Sequence, residues 1–398
     1  MEFPTPVRGD AHRYWALVGV GGLVTLAGLL AAHYMEEHGH IVTGMNNQIV
    51  WGMPHVFAIF MIVAASGVLN VASIGSVFGQ APYKPRAPLS GLLCLALLAG
   101  GLFVLMLDLG KPDRLIVAAT HYNPTSVFAW NVLLYSGMTA IVMVYLWTLM
   151  ERRMNVYSKY AGLAAFAWRI ILTTGTGSIF AFLVAREAYG SALLPPLFIV
   201  LSFGWGLAVF LVVQSAIYAW NGRSPPAETL ARMSRLLAVF VAAAFYFVLV
   251  YHLVNAYFAK QQAFERFLLL DGGVYPLLFW GGYVVVGGIA PLALLWHPRL
   301  RGPRSTLAAS LLVIAGAFAW LYVFIIGGQA YPLDIFPGYQ VTSSFGDGQI
   351  QSYVPSLPEI VLGVGGVGLA FLITVAGVRT LPFSPKDDAP AVSGASAH

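Results

Sequence analysis

The sequence predicts an all-α membrane protein that crosses the bilayer about ten times. Three observations predict it. Hydrophobic residues make up 59% of the 398-residue chain and charged residues only 9%. Mean hydropathy is +0.77. The apolar residues gather into ten segments joined by short polar loops, each close to the roughly 20 residues that a helix needs to cross a hydrocarbon core. A water-soluble domain with so little charge would not stay in solution, and only helices or closed barrels satisfy their backbone groups within lipid.

The expected spans are 14–34, 55–79, 88–107, 125–149, 160–185, 192–219, 233–258, 273–296, 305–327 and 358–379. The first is too long for a signal-peptide core and no small-residue cleavage pattern follows it, so it reads as a retained anchor. The second is opened by His55, after Asn46, Asn47 and Trp51, and carries a polar stripe of Ser66, Asn70 and Ser73. The third holds the single cysteine, Cys94, a small core residue, and ends in the charged run Asp108-Leu109-Gly110-Lys111-Pro112-Asp113-Arg114. In the fourth, Asn131 and Tyr135 are four apart and share a helix face. The fifth contains Arg169, with Thr173 and Thr176 continuing its face. The seventh brings Tyr251, His252 and Asn255 to one face. Glycines crowd the eighth and tenth, where small residues let helices approach closely. The loop from Gly328 to Ser356 is the longest exposed segment, a length expected to cover or dock something. There is no strong internal repeat, and four-helix sub-bundles are expected. Residues 1–382 read as one membrane domain and 383–398 as a disordered cytoplasmic tail.

Lys and Arg set the orientation. With the N-terminus inside, 15 fall in inner loops and tails, 5 (Lys111, Arg114, Arg186, Lys260, Arg266) in outer loops, and Arg169 lies within a span. Both termini are therefore expected in the cytoplasm. The pI of about 9.2 then reflects this bias and anionic lipid, and implies no nucleic acid.

On that topology the polar residues are lopsided. The outer ends carry His38, His40, Asn46, Asn47, His55, Asp108, Asp113, His121, Tyr122, Asn123, Arg186, Glu187 and Glu359, and the middle of the membrane has no carboxylate. Each candidate has a plainer role beside its chemical one. His55 caps a helix or donates to a ligand carbonyl and exchanges a proton with it. The charged run from Asp108 to Arg114 neutralises itself in a tight turn or supplies a proton relay. His252 makes an interhelical hydrogen bond or meets a ligand. Asn70 and Arg169 mark an inward polar path, or Arg169 snorkels to the cytoplasmic face. One cysteine and nine histidines, of which only His33, His55 and His252 are placed to act as intramembrane ligands, leave no set for an iron–sulfur cluster, zinc or a stacked pair of haems.

The stretches Leu107–Arg114, Ala185-Arg186-Glu187 with Leu194-Pro195-Pro196-Leu197-Phe198, and Tyr353–Glu359 resemble the polysulfide-reductase membrane subunit family, often called NrfD-type, in its ten-helix branch. The stretch Gly39–Gly79, including Gly44–Gly52, resembles most the DsrP-type members of that branch, from the Dsr sulfur-metabolism electron-transport complex. The resemblance covers nearly the whole chain. It implies four-helix bundles plus extra helices and a haem-free subunit of the bacterial inner membrane that binds menaquinone or ubiquinone. It also implies an extracytoplasmic ferredoxin-like iron–sulfur partner, with other membrane or cytochrome subunits in the complex. Matched by position, the implied quinone residues are His55, Asn46 or Asn47, Asn131 and Tyr135, with Arg186 and His252 as further candidates, and Asp108 and His121 as proton relays. Alternatives are a secondary transporter or channel, for which charges near the midplane are too few, and a purely structural membrane anchor.

Overall fold

The computed structural model describes residues 11–300, 302–333, 348–381 and 383. Among them are ten helices long and apolar enough to cross a membrane: α1 (Ala11–His38), α2 (Met53–Ser76), α3 (Ala81–Leu107), α4 (Val127–Met150), α5 (Asn155–Ala181), α6 (Leu194–Trp220), α7 (Ala227–Tyr257), α8 (Val274–Trp296), α9 (Pro303–Ala330) and α10 (Leu357–Thr380). The expected spans are all present, with shifted ends. α1 and α7 begin earlier because their polar flanks remain helical; Glu228 and Arg232 pair at 2.5 Å one turn apart in the α7 extension. α5 ends at Ala181, short of 185. There the chain folds back, and Gly190, at φ +78°, brings its N–H to the Phe180 carbonyl at 3.2 Å. The tail after residue 383 and the loop centre at 334–347 lie outside the described residues.

The helices form two bundles of four. α2 packs on α3 and α5, and α4 on α3 and α5; α6 packs on α7 and α9, and α8 on α7 and α9. α2 also packs on α6, and α5 on α6, which joins the bundles. Most of the α2 apolar stretch, 94%, is buried within the protein, against 17% for α1, so α2 is the central helix and α1 a peripheral one. The crossing of α2 over α6 is set by Gly67 and Gly206. A Cβ on Gly67 would collide with the Ser202 carbonyl and one on Gly206 with the Gly67 backbone. With lipid as apolar as a leucine side chain, such close approach is what holds the bundles together. α1 and α10 form a separate pair, where Gly28 and Gly365 meet backbone to backbone. α10 leans on α2 and α3.

An aromatic cluster fills the seam between the bundles. Trp320 and Phe324 of α9 stack at 4.7 Å and 8°, and Phe324 meets Phe180 of α5 at 4.9 Å and Phe198 of α6 at 5.8 Å. Part of α8 (Leu277–Ile289) and of α9 (Tyr322–Gly327) is π-helical. The wider turn loosens the local hydrogen-bond ladder, and the single Tyr189 O–H is shared between two carbonyls there, Ile325 at 3.0 Å and Phe324 at 3.2 Å. Burial pushes that phenol well above its usual pKa.

Candidate functional site

One end of the bundles, the His55 face, gathers the polar residues. Met53 and Pro54 open α2 after the extended Gly52, which puts His55 in the first turn. Asp108 follows the last turn of α3, its N–H bonded to the Val104 carbonyl. The two meet: His55 Nδ1 lies 2.9 Å from Asp108 Oδ2, with the imidazole 16% exposed and the carboxylate 1%. The distance is that of an ion pair, but the angles are not those of a hydrogen bond. His55 Nδ1 and both Asp108 oxygens are therefore buried with unused hydrogen-bonding capacity. The run from Asp108 to Arg114 does not neutralise itself in its own turn. Asp108 turns in toward α2 while Lys111, Asp113 and Arg114 stay outside that contact, because a side chain at the end of α3 continues that helix's buried face.

Trp51 covers the pair. Its ring lies 5.8 Å from the His55 imidazole at 25°, edge-on to Phe180 at 5.6 Å and 6.3 Å from Phe128. Phe128 sits one turn before Asn131 on α4, and Phe180 one turn after Thr176 on α5. The Asn131–Tyr135 face therefore continues inward from Trp51 between α4 and α5. Asn131 Nδ2 donates to the Val127 carbonyl at 2.9 Å and the Gly175 carbonyl at 3.4 Å, which leaves its buried Oδ1 without a partner. Tyr135 is buried on the same face, and the Thr176 hydroxyl donates to the Leu172 carbonyl at 3.1 Å.

The loop before α2 is shaped rather than open. Asn46 Oδ1 accepts from the Gln48 and Ile49 N–H groups at 2.9 and 2.8 Å, an Asx turn; Asn47 is exposed. Gln329, at the end of α9, accepts from the Val50 and Trp51 N–H groups at 3.0 and 3.1 Å and donates to the Trp51 carbonyl at 3.0 Å. Arg186 donates to the Gln329 carbonyl at 3.0 Å and the Gln48 carbonyl at 2.6 Å. Desolvation lowers its guanidinium from the usual pKa. On the other flank Glu359 accepts from the Gly44 N–H at 2.8 Å, the Ser356 N–H at 2.8 Å and the Tyr353 hydroxyl at 2.6 Å. Tyr353 oxygen in turn accepts from the Met53 N–H at 2.6 Å. Burial and the Glu359 carboxylate hold that phenol far above its ordinary pKa.

The remaining candidates stand apart from this group. His252, buried on α7, has Nδ1 2.8 Å from Glu265 Oε2, and Asn255 Nδ2 donates to Glu265 Oε1 at 2.9 Å. Tyr251 donates to the Ala188 carbonyl. His121 is exposed and its Nδ1 lies 3.2 Å from the Thr120 hydroxyl. Arg169 does not snorkel. It is 2% exposed, held against the rings of Phe166 at 4.9 Å and Phe203 at 5.3 Å, with Nε and Nη1 unpartnered. Asn70 Nδ2 is likewise buried and unpartnered, and Ser66 of the same stripe donates to the Arg169 carbonyl at 3.1 Å. Among the described residues no three His, Cys, Asp or Glu side chains converge to hold a metal ion.

Sequence reasoning missed Glu265, Gln329 and Gln48. Glu265 carries one legible signal, since it sits in a short helix between the apolar pairs Ala263-Phe264 and Phe267-Leu268, where a carboxylate must turn inward with them or out to water. Gln329 carries none, because a lone amide at a span end reads as an ordinary flank.

Ten helices in two bundles of four plus an outlying pair, with a buried polar centre at one face, define a polytopic membrane protein built around that centre. The chain belongs to the NrfD (polysulphide reductase) family, whose model matches residues 41–332. That stretch spans α2 to α9, both bundles, and leaves α1 and α10 outside it. The chain is 30% identical over 385 residues to the Hdr-like menaquinol oxidoreductase integral membrane subunit of Archaeoglobus fulgidus, covering 96% of each. It is 28% identical to a putative dimethyl sulfoxide reductase membrane subunit of Halobacterium salinarum, over 94% of this chain and 92% of the relative. To a polysulfide reductase polypeptide of Wolinella succinogenes it is 23% identical, over 72% of this chain and 96% of the relative.

Proposed function

We propose that this chain is the quinone- or quinol-binding membrane subunit of a multi-subunit redox complex. It exchanges electrons between the quinone pool and an iron–sulfur partner subunit docked on the His55 face, which is the extracytoplasmic one, with both termini in the cytoplasm. The observation that carries the reading is the buried His55–Asp108 pair, which keeps unused hydrogen-bonding atoms beneath Trp51. The relatives named for menaquinol oxidoreductase and polysulfide reductase support it.

The residues fit a quinone head group. A bound quinone supplies a carrier that takes up two electrons and two protons. His55 presents an imidazole that donates to a carbonyl or accepts from a hydroxyl, according to its tautomer. Asp108 offers carboxylate oxygens that accept from a hydroxyl. A donor fixed in place before the carbonyl oxygen gains charge is worth more in this water-poor site than in solution. Trp51, Phe128 and Phe180 give flat apolar walls, and the free Asn131 Oδ1 adds a polar point deeper in.

Titration of the purified chain in lipid nanodiscs with a short-chain menaquinone, and in parallel a short-chain ubiquinone, tests this. Replacing His55→Ala removes one charge-capable hydrogen bond from a buried site, about 1.5–3 kcal/mol, and is expected to weaken binding about 10- to 100-fold. Unchanged affinity rules out the proposed role of His55.

A further inference from the structure

We propose that Gln329, from the second bundle, and Arg186, from the loop that joins the two bundles, are positioning residues of the His55 site. The inference rests on the reading of that site given above.

Gln329 is 1% exposed at the end of α9. A primary amide has two donor and two acceptor positions, and all four of its positions are used. Three go to the Val50 and Trp51 main chain, and the fourth goes to the Ile325 carbonyl at 2.9 Å, within its own helix. Toward Trp51 the amide behaves as a neighbouring strand does, meeting the N–H and C=O of one residue together. The grip is reinforced from both sides. Gln48 Nε2 donates to the Gln329 and Ala330 carbonyls at 3.1 and 2.9 Å, and Arg186 bridges the Gln48 and Gln329 carbonyls. A guanidinium presents two donors in a fixed fork, which a lysine lacks.

Trp51 is the residue that transmits this. Its backbone is set by Gln329, and its indole lies over the His55 ring. His55 follows four residues later in the first turn of α2, within 2.9 Å of Asp108. No part of Gln329 needs to touch a ligand for its loss to tilt the indole and the imidazole beneath it. A mere staple between bundles would change stability and leave His55 alone. A positioning residue must work through His55.

A double-mutant cycle on the full-length chain in nanodiscs, read by affinity for a short-chain menaquinone, separates the two. Gln329→Met keeps length and bulk while removing all four bonds. It is expected to weaken binding about tenfold in the wild-type background and less than about twofold once His55→Ala is present. Arg186→Lys, at a half-buried position, keeps the Gln329 amide and is expected to show the same dependence on His55 with a smaller loss. It decides the matter if Gln329→Met does not fold. Equal losses in both backgrounds, or no loss from either variant, overturn the inference. If His55→Ala itself leaves affinity unchanged, the reading of the site falls and this inference falls with it. A loss from His55→Ala with none from Gln329→Met or Arg186→Lys sinks the inference alone.

Discussion

Glu359→Ala should loosen the His55 face without touching His55. The carboxylate is fully buried and accepts from Gly44 N–H, Ser356 N–H and the Tyr353 hydroxyl. Through the Ser356 N–H it also holds the N-terminal end of α10. Removing it leaves three donors buried beside an alanine. Each bond to a charged acceptor is worth about 1.5–3 kcal/mol. The three share one acceptor and are not additive, so the whole comes to about 3–5 kcal/mol. For a chain of this size that shifts melting by about 5 °C or more. Glu359→Gln should fall between. Its oxygen can still accept from the Gly44 and Ser356 N–H groups, but its amide nitrogen then faces the Tyr353 hydroxyl, which loses its acceptor. The assay is thermal unfolding of purified protein in one detergent at one scan rate, since melting of such proteins is often rate-dependent. Melting of Glu359→Ala within about 1 °C of wild type, or of Glu359→Gln below Glu359→Ala, would refute the reasoning that these three bonds hold the loop and α10 together.

Two further outcomes are expected. Tyr353 is held protonated in the folded chain above the ordinary phenol pKa, so the unfolded chain loses this proton first as pH rises. Stability from this group is complete below about pH 10 and falls above it. Between about pH 8 and about pH 11 wild type should lose melting temperature more steeply than Tyr353→Phe, and parallel slopes would contradict the shift. For topology, a Cys94→Ala background with single cysteines at Asn123 or Asn221 should label from outside intact cells at Asn123 only. The reverse pattern would invert the proposed orientation.

Much of this architecture is legible in the sequence, for a physical reason. Lipid offers the backbone no partners, so each crossing must be a helix of sufficient apolar length, and α1 to α10 announce themselves by hydropathy alone. Period also suffices within one helix: Asn131 and Tyr135 share a face because four residues make about one turn. His55 and Asp108 could each be named as candidates, since polar groups at span ends are few. What the sequence could not decide was which of them meet. Asp108 could have closed a salt bridge with Lys111 or Arg114 in its own turn; only the packing of α3 on α2 turns it to His55. His252 finds Glu265 across a loop, and Gln329 grips Trp51 from 278 positions away. Those pairings are settled by helix crossings such as that of Gly67 with Gly206, where the absence of a side chain fixes how near two backbones come. Spans are thus set by what lipid demands of each segment alone. The site is set by contacts between segments, and only the tertiary structure holds those.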